Sequence, residues 1–303
     1  MSTLDACKSR FAGRRLLVAV LCALVVVTAA ARLPSALGDP LWLDEVASAR
    51  ILAEPTLPAV LRHVRRTEST PPLWYVLSWS VRRAGSPWLS ITGLRLLSVL
   101  LSCALTVATV LYARRLLSLG WAALAGAVVA LGPDLVAHGS ELRAYTLLAL
   151  LSVCFAQILE SAARRPTRLR MGALGATVAA GCLTHYFFLL TLLAGLAWLV
   201  RERNHAGSRV AAAAVGVGLI PLVAWAPAFY RQYEHKLYAF SGPFSLRDVL
   251  YPSTFHSDCA CNPPQGIRCA TADSGVFILV LEGNAEGRDN GLCLFTPPGG
   301  NPV

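Results

Sequence analysis

Two adjacent carboxylates, Asp44 and Glu45, stand just behind the first long apolar run, within Leu41-Trp42-Leu43-Asp44-Glu45-Val46-Ala47-Ser48-Ala49-Arg50. Acids at the edge of a bilayer lose hydration and need a partner or a task. One reading makes Asp44 an N-cap and Glu45 a first-turn acid of a helix. The other makes them a functional pair, able between them to hold a divalent cation with water. Three other places carry groups of similar interest. Glu141-Leu142-Arg143-Ala144-Tyr145 follows a later apolar run, Arg95 opens another, and Thr184-His185-Tyr186 interrupts a third. Arg143 could pair with Glu141 or snorkel. His185 could be a hydrogen-bonded packing residue, and Tyr75 and Tyr145 could be interfacial aromatics.

The elements that must position these groups are apolar helices. Hydrophobic residues make up 55% and charged residues 15% of the 303 residues, against about 25% charged in soluble chains. The expected fold is therefore all-α: a polytopic transmembrane helical bundle, with interfacial helices in the first outer loop. The formal charge is +10, but the arginines cluster beside apolar runs. Membrane topology explains that pattern better than nucleic acid does, and no nucleic-acid partner is expected.

Lys8, Arg10, Arg14 and Arg15 precede the run Leu16 to Ala31, which also fits a cleavable signal peptide. Its length, and the spans that follow, favour an uncleaved anchor with a cytoplasmic N-terminus. Residues 38–93 mix charges with Trp42, Trp74, Trp79 and Trp88, which suggests helices lying at the membrane surface. Trp42, Val46, Ala49 and Ala53 would form the apolar side of the first, and Pro71-Pro72 would open another. Spans are expected over 94–112, 119–136, 146–159 and 210–229. The run 171–200 should be two short helices meeting at His185, because both its flanks are basic. Arg114/Arg115, Arg164 to Arg170 and Arg201/Arg203 then share the inner side. Asp39, Asp44, Glu45, Asp134 and Glu141 gather at the outer one.

Residues 256–303 differ in kind, being rich in Gly, Pro, Asn and Cys. A segment so poor in apolar residues is expected to be poorly ordered, and the abrupt change near Phe255 suggests a shift of reading frame. Cys259, Cys261, Cys269 and Cys293 there match no strong zinc spacing, and an odd total of nine cysteines argues against a complete disulfide framework.

Leu43-Asp44-Glu45, Pro71-Pro72-Leu73-Trp74-Tyr75, Glu141-Leu142-Arg143-Ala144-Tyr145 and Leu183-Thr184-His185-Tyr186-Phe187 occur in that order. In combination they resemble the membrane glycosyltransferases of the protein-mannosyltransferase type, family 39-like, with the GT-C fold. The resemblance covers residues 14–255. It implies a sugar donor linked to a polyprenyl phosphate, a protein, glycan or lipid acceptor, surrounding membrane lipids, and inverting transfer on the extracytoplasmic face of the cell membrane. It places the catalytic base on Asp44, with Glu45 orienting the acceptor or binding a cation. It also implies donor-phosphate binding by Arg143 and Arg95, and a substrate pocket touched by Glu141, Tyr145, Tyr75 and His185. No cofactor is implied beyond a possible divalent cation. Thr70 stands where relatives carry His or Lys, Ser140 where many carry Gln, and relatives continue with more spans, so a shortened member is expected. The alternative is a degenerate, non-catalytic relative or a polyprenyl-lipid carrier. A carrier would need paired repeats, and the sequence has no clear internal repeat.

Overall fold

The computed structural model of the chain describes residues 3–84, 91–203, 206–234, 269–272 and 275–278. The chain divides into two units, Met1–Ala239 and Phe240–Val303. Phe255, Trp88 and most of the Gly/Pro-rich tail lie outside the described residues, as do Cys259, Cys261 and Cys293. In the second unit, β1 (Cys269–Ala272) and β2 (Gly275–Ile278) pair antiparallel, with Cys269 opposite Ile278.

The first unit is all-α among its described residues. Its helices are α1 (Thr3–Gly38), α2 (Leu43–Leu52), α3 (Leu57–Thr67), α4 (Leu73–Arg83), α5 (Ile91–Leu116), α6 (Leu119–Leu131), α7 (Pro133–His138), α8 (Tyr145–Arg164), α9 (Arg168–Thr184), α10 (Phe188–Arg201), α11 (Ser208–Gly218) and α12 (Ile220–Glu234). Four stretches are long and apolar enough to cross a membrane: Gly13–Gly38, Ile91–Leu116, Tyr145–Arg164 and Ser208–Tyr233. A 26-residue helix reaches about 39 Å, against roughly 30 Å of hydrocarbon. Helices are required there because a lipid-facing backbone has no water to bond to. Val26, Leu100, Trp121, Val128, Leu190, Leu193, Val217 and Val223 all stay exposed on the bundle's outer faces. An apolar belt of that extent suits lipid and would not suit water. This is a membrane-type helical bundle.

α1 packs on α5 and α6, α5 on α8, α8 on α9, and α9 on α11. Small residues allow the close approaches. A Cβ on Gly126 would meet Val110 at 2.4 Å, and one on Gly181 would meet the buried Phe188 ring at 2.5 Å. Such positions are the usual contact points of membrane helices. The α6–α7 break at Gly132-Pro133 is held from another helix. Arg32 of α1, fully buried, donates to the carbonyls of Ala130 (2.8 Å), Val129 (2.9 Å) and Leu135 (3.0 Å).

Helix directions put the Arg114/Arg115, Arg164 to Arg170 and Arg201/Arg203 connections at one end, and Asp39, Asp44, Glu45 and Glu141 at the other. Arg115 Nη1 donates to Ser161 Oγ at 3.2 Å, and the Gly207 N–H to the Ala163 carbonyl at 3.0 Å, so the ends of α5 and α8 and the start of α11 meet. The two short helices expected on either side of His185 are α9 and α10. The expected span over 210–229 is two helices, α11 and α12, because Pro221 has no N–H to continue the ladder.

On α2, Glu45, Ser48, Ile51 and Leu52 are buried against the bundle, while Val46 and Ala49 are half-buried and Trp42 and Ala53 are exposed. Val46, Ala49 and Ala53 line a groove of about 600 Å³ with Leu41, Ile91, Leu94, Arg50 and Arg82. α3 and α4 also pack onto the bundle, burying Val60, Val64, Trp74, Tyr75 and Ser78.

Candidate functional site

The site begins with the way α2 starts. Pro40 and an extended Trp42 lead into Leu43, so Asp44 and Glu45 fall in the first turn, where the helix dipole favours negative charge. Glu45 folds back and accepts the Trp42 N–H at 3.1 Å, which is the N3 half of a capping box. One residue of offset then sends the two carboxylates opposite ways. Glu45 is fully buried, while the Asp44 side chain is 68% exposed.

Glu45 is held by Arg95. The Arg95 Nε donates to Oε1 at 2.8 Å and its Nη2 to Oε2, while the Leu142 N–H donates to Oε1 at 2.8 Å. The remaining Arg95 donors reach the carbonyls of Asp39 (2.7 Å), Pro40 (3.0 Å) and Ser35 (3.5 Å). Burial alone would raise the Glu45 pKa, but the bonds from Arg95, Leu142 and Trp42 outweigh it and hold the carboxyl below its ordinary range. All five N–H donors of Arg95 are thus engaged. Two expected roles fail on this geometry. Glu45 is not placed to orient an acceptor or to share a cation with Asp44, and Arg95 has no donor left for a phosphate. Together they form a clasp that ties the end of α1, the start of α2, α5 and the Leu142 loop to one another.

The clasp positions Arg143. Its loop is fixed through the Leu142 N–H, through Ser98 Oγ donating to the Glu141 carbonyl at 2.6 Å, and through Thr146 Oγ1 donating to the His138 carbonyl at 3.1 Å. Arg143, 13% exposed, then reaches Asp44 Oδ2 with Nη2 at 3.3 Å. Its Nη1 donates to Ser48 Oγ at 3.4 Å and to the Asp44 carbonyl at 3.5 Å, and lies 3.8 Å from Glu68 Oε2. Burial disfavours the charged form, yet Tyr75, Glu68 and Asp44 outweigh it and hold Arg143 above its ordinary pKa. It remains a cation.

Glu68 is the residue that the sequence reading overlooked. α3 ends at Thr67, and Glu68 takes an extended conformation ahead of Pro71-Pro72. Its side chain is 7% exposed. Burial pushes its carboxyl above the usual range and Asp44 adds to that, while the bonded Tyr75 hydroxyl, Arg143 and His63 pull it back. Tyr75, also buried, is pushed up by burial and then by Glu68. Its side chain bonds to the Glu68 carboxyl. An acid three residues ahead of a Pro-Pro pair, at the end of a helix bearing Arg62, Arg65 and Arg66, was the signal available.

Tyr145 and His185 join the same cluster. Arg143 lies 5.9 Å over the Tyr145 ring, and the Tyr145 and His185 rings are 5.7 Å apart. The Nδ1 of His185 accepts the Phe187 N–H at 3.1 Å, which assigns the proton to Nε2 in the neutral ring. Burial, then the nearby Arg143 charge, lowers its pKa. Glu141 stands apart from the guanidinium and pairs with His138 at 3.0 Å. Gln232 of α12 closes the rear, donating to the carbonyls of Val64 (3.1 Å) and Thr70 (3.3 Å) and accepting from the Tyr186 hydroxyl at 2.7 Å. No group of three His, Cys, Asp or Glu able to hold a metal occurs among the described residues.

Four expected residues therefore converge directly, Asp44, Arg143, Tyr145 and His185, with Tyr75 joined through Glu68. Glu45 and Arg95 support them from beneath. The groove of about 600 Å³ lies on the other face of α2, away from this chemistry. Comparison with known protein families finds no family model that matches the chain, and comparison with curated proteins finds no match.

Proposed function

We propose that this chain transfers a sugar from a polyprenyl-phosphate-linked donor to an acceptor hydroxyl at the extracytoplasmic face of the membrane, with inversion at the sugar carbon. The observation that carries this reading is the 3.3 Å pair between Asp44 and Arg143. An exposed carboxylate and a half-enclosed guanidinium, 99 residues apart in the chain, meet at one end of a membrane bundle.

In this reading Asp44 takes the proton of the acceptor hydroxyl, a step for which a positioned base is worth about 10²–10⁴-fold. Arg143 binds the donor phosphate and steadies the charge that grows on it as the sugar leaves. Glu68, Ser48 and the clasp fix the Arg143 guanidinium, which removes the need for reorganisation during the reaction. Tyr145 and His185 supply one wall, where a sugar or phosphate ester could rest against aromatic faces. The Arg-rich end is cytoplasmic by the positive-inside rule. The protein, glycan or lipid nature of the acceptor follows from whichever hydroxyl reaches Asp44.

The test uses membranes containing the full chain, labelled polyprenyl-phosphate sugars and a panel of acceptors. Transfer that depends on Arg143, lost in Arg143→Ala and raised in donor KM by Arg143→Lys, is the expected result. Absence of transfer from every donor, or transfer indifferent to Arg143, overturns the reading.

A further inference from the structure

Asp44 and Glu68 both face one guanidinium, on unlike terms. Glu68 is buried and stands 3.8 Å from Nη1, the arm that also reaches Ser48 Oγ at 3.4 Å. Asp44 is exposed and meets the other arm, Nη2, at 3.3 Å. The inner arm is set in the protein, whereas the outer arm is occupied by a side chain that can swing away. An anion that is to engage the outer arm must take the place of the Asp44 carboxylate.

We propose that Asp44 is a removable latch on Arg143: a prenyl phosphate displaces its carboxylate from the Nη2 arm and thereby frees the carboxylate to act as the base. The inference rests on the function proposed above and adds an order of events to it, donor before acceptor. The exchange is non-covalent and moves no proton. A sugar phosphodiester carries one negative charge, so it replaces the single charge of the carboxylate evenly. The acceptor hydroxyl then gives its proton to Asp44 while its oxygen bonds to the sugar carbon. The bond from that carbon to the phosphate oxygen breaks, and the electron pair leaves with the phosphate. The leaving monoester carries more negative charge than the diester did, so its grip on Arg143 tightens as the reaction proceeds. Asp44 returns to the latch when the prenyl phosphate departs and its own proton is lost to water. Glu68 and Ser48 act as positioning residues, keeping the inner arm in place while the outer arm changes partner.

The experiment is binding of farnesyl phosphate to the purified full chain in nanodiscs, by titration calorimetry, with farnesol as the uncharged control. Wild type, Asp44→Asn, Arg143→Ala and Arg143→Lys are compared, each first shown to melt cooperatively. A latch competes with the ligand, so Asp44→Asn should bind farnesyl phosphate about two- to fivefold tighter, the range of an exposed ion pair. Arg143→Ala should bind at least tenfold more weakly, Arg143→Lys in between, and farnesol should be indifferent to all three. Unchanged or weaker binding by Asp44→Asn, with Arg143→Ala still impaired, overturns the latch and leaves the phosphate site of the proposed function standing. Wild-type binding that is absent, or equal in Arg143→Ala, overturns both.

Discussion

Glu45→Ala separates the two neighbouring acids most sharply. The change removes the acceptor of four hydrogen bonds, two from Arg95 and one each from the Leu142 and Trp42 N–H groups. It leaves Arg95, 5% exposed, as a buried cation without its counter-ion. Breaking a buried pair by deleting one partner costs about 3–5 kcal/mol. That is a large share of the roughly 5–15 kcal/mol that holds a typical domain together. At about 2–4 °C per kcal/mol for a chain of this size, the melting temperature should fall by on the order of 10 °C. The assay is thermal unfolding of the detergent-solubilised protein, followed by tryptophan fluorescence. Asp44→Ala, one residue away, should melt within about 2 °C of wild type because its carboxylate is exposed. The double variant Glu45→Leu/Arg95→Met should regain most of the loss, since an apolar pair of similar volume can replace a buried ion pair. A Glu45→Ala protein as stable as wild type would refute the clasp and with it the account of how Arg143 is positioned.

The two buried glutamates should also give pH effects of opposite sign. Glu45 has its folded pKa depressed; its contribution is therefore present above the ordinary carboxylate value of about 4.3 and lost as pH falls through the folded value. Glu68 has its folded pKa raised, so its contribution is present below about 4.3 and lost as pH rises through the folded value. Melting curves across pH should accordingly show Glu68→Gln gaining on wild type as pH rises and Glu45→Gln losing on it; equal slopes would contradict the assignment. Gly181→Ala should cost about 1–3 kcal/mol by overpacking, because the new Cβ would lie 2.5 Å from a fully buried Phe188 ring. Thermal unfolding checks this directly, and an unchanged midpoint would mean that α9 and α10 can part at no cost.

Much of the bundle is legible in the sequence because lipid imposes a strong rule. Apolar runs must be helices, and arginine clusters mark where they end, so the α9–α10 break at His185 follows from two basic flanks and a run too short for two full spans. The surface helices were less legible. In α2 the spacing marks Val46, Ala49 and Ala53 as the apolar side, but nothing in it marks Glu45 and Ser48 as the residues that the bundle buries. Periodicity registers where apolar residues lie; it does not register a glutamate whose burial is compensated by an arginine 50 residues away. Arg95 illustrates the same limit. Its position at the mouth of α5 suited a phosphate, but only geometry reveals that five protein acceptors already engage it. Glu68 was hidden for the converse reason. A lone acid between a basic helix and a Pro-Pro pair reads as a solvated loop residue, until Tyr75 and Arg143 are seen to enclose it. Arg32 escaped notice too, because its task is to cap the carbonyls of α6, 97 and 98 residues further on.

Single-turnover sugar transfer by Asp44→Asn, beside its melting curve and its affinity for the polyprenyl-phosphate donor, tests the assigned base. A loss of about 10²–10⁴-fold in rate is expected, with an unaltered melting temperature and donor binding at least as tight as in wild type. Turnover at the wild-type rate would contradict it.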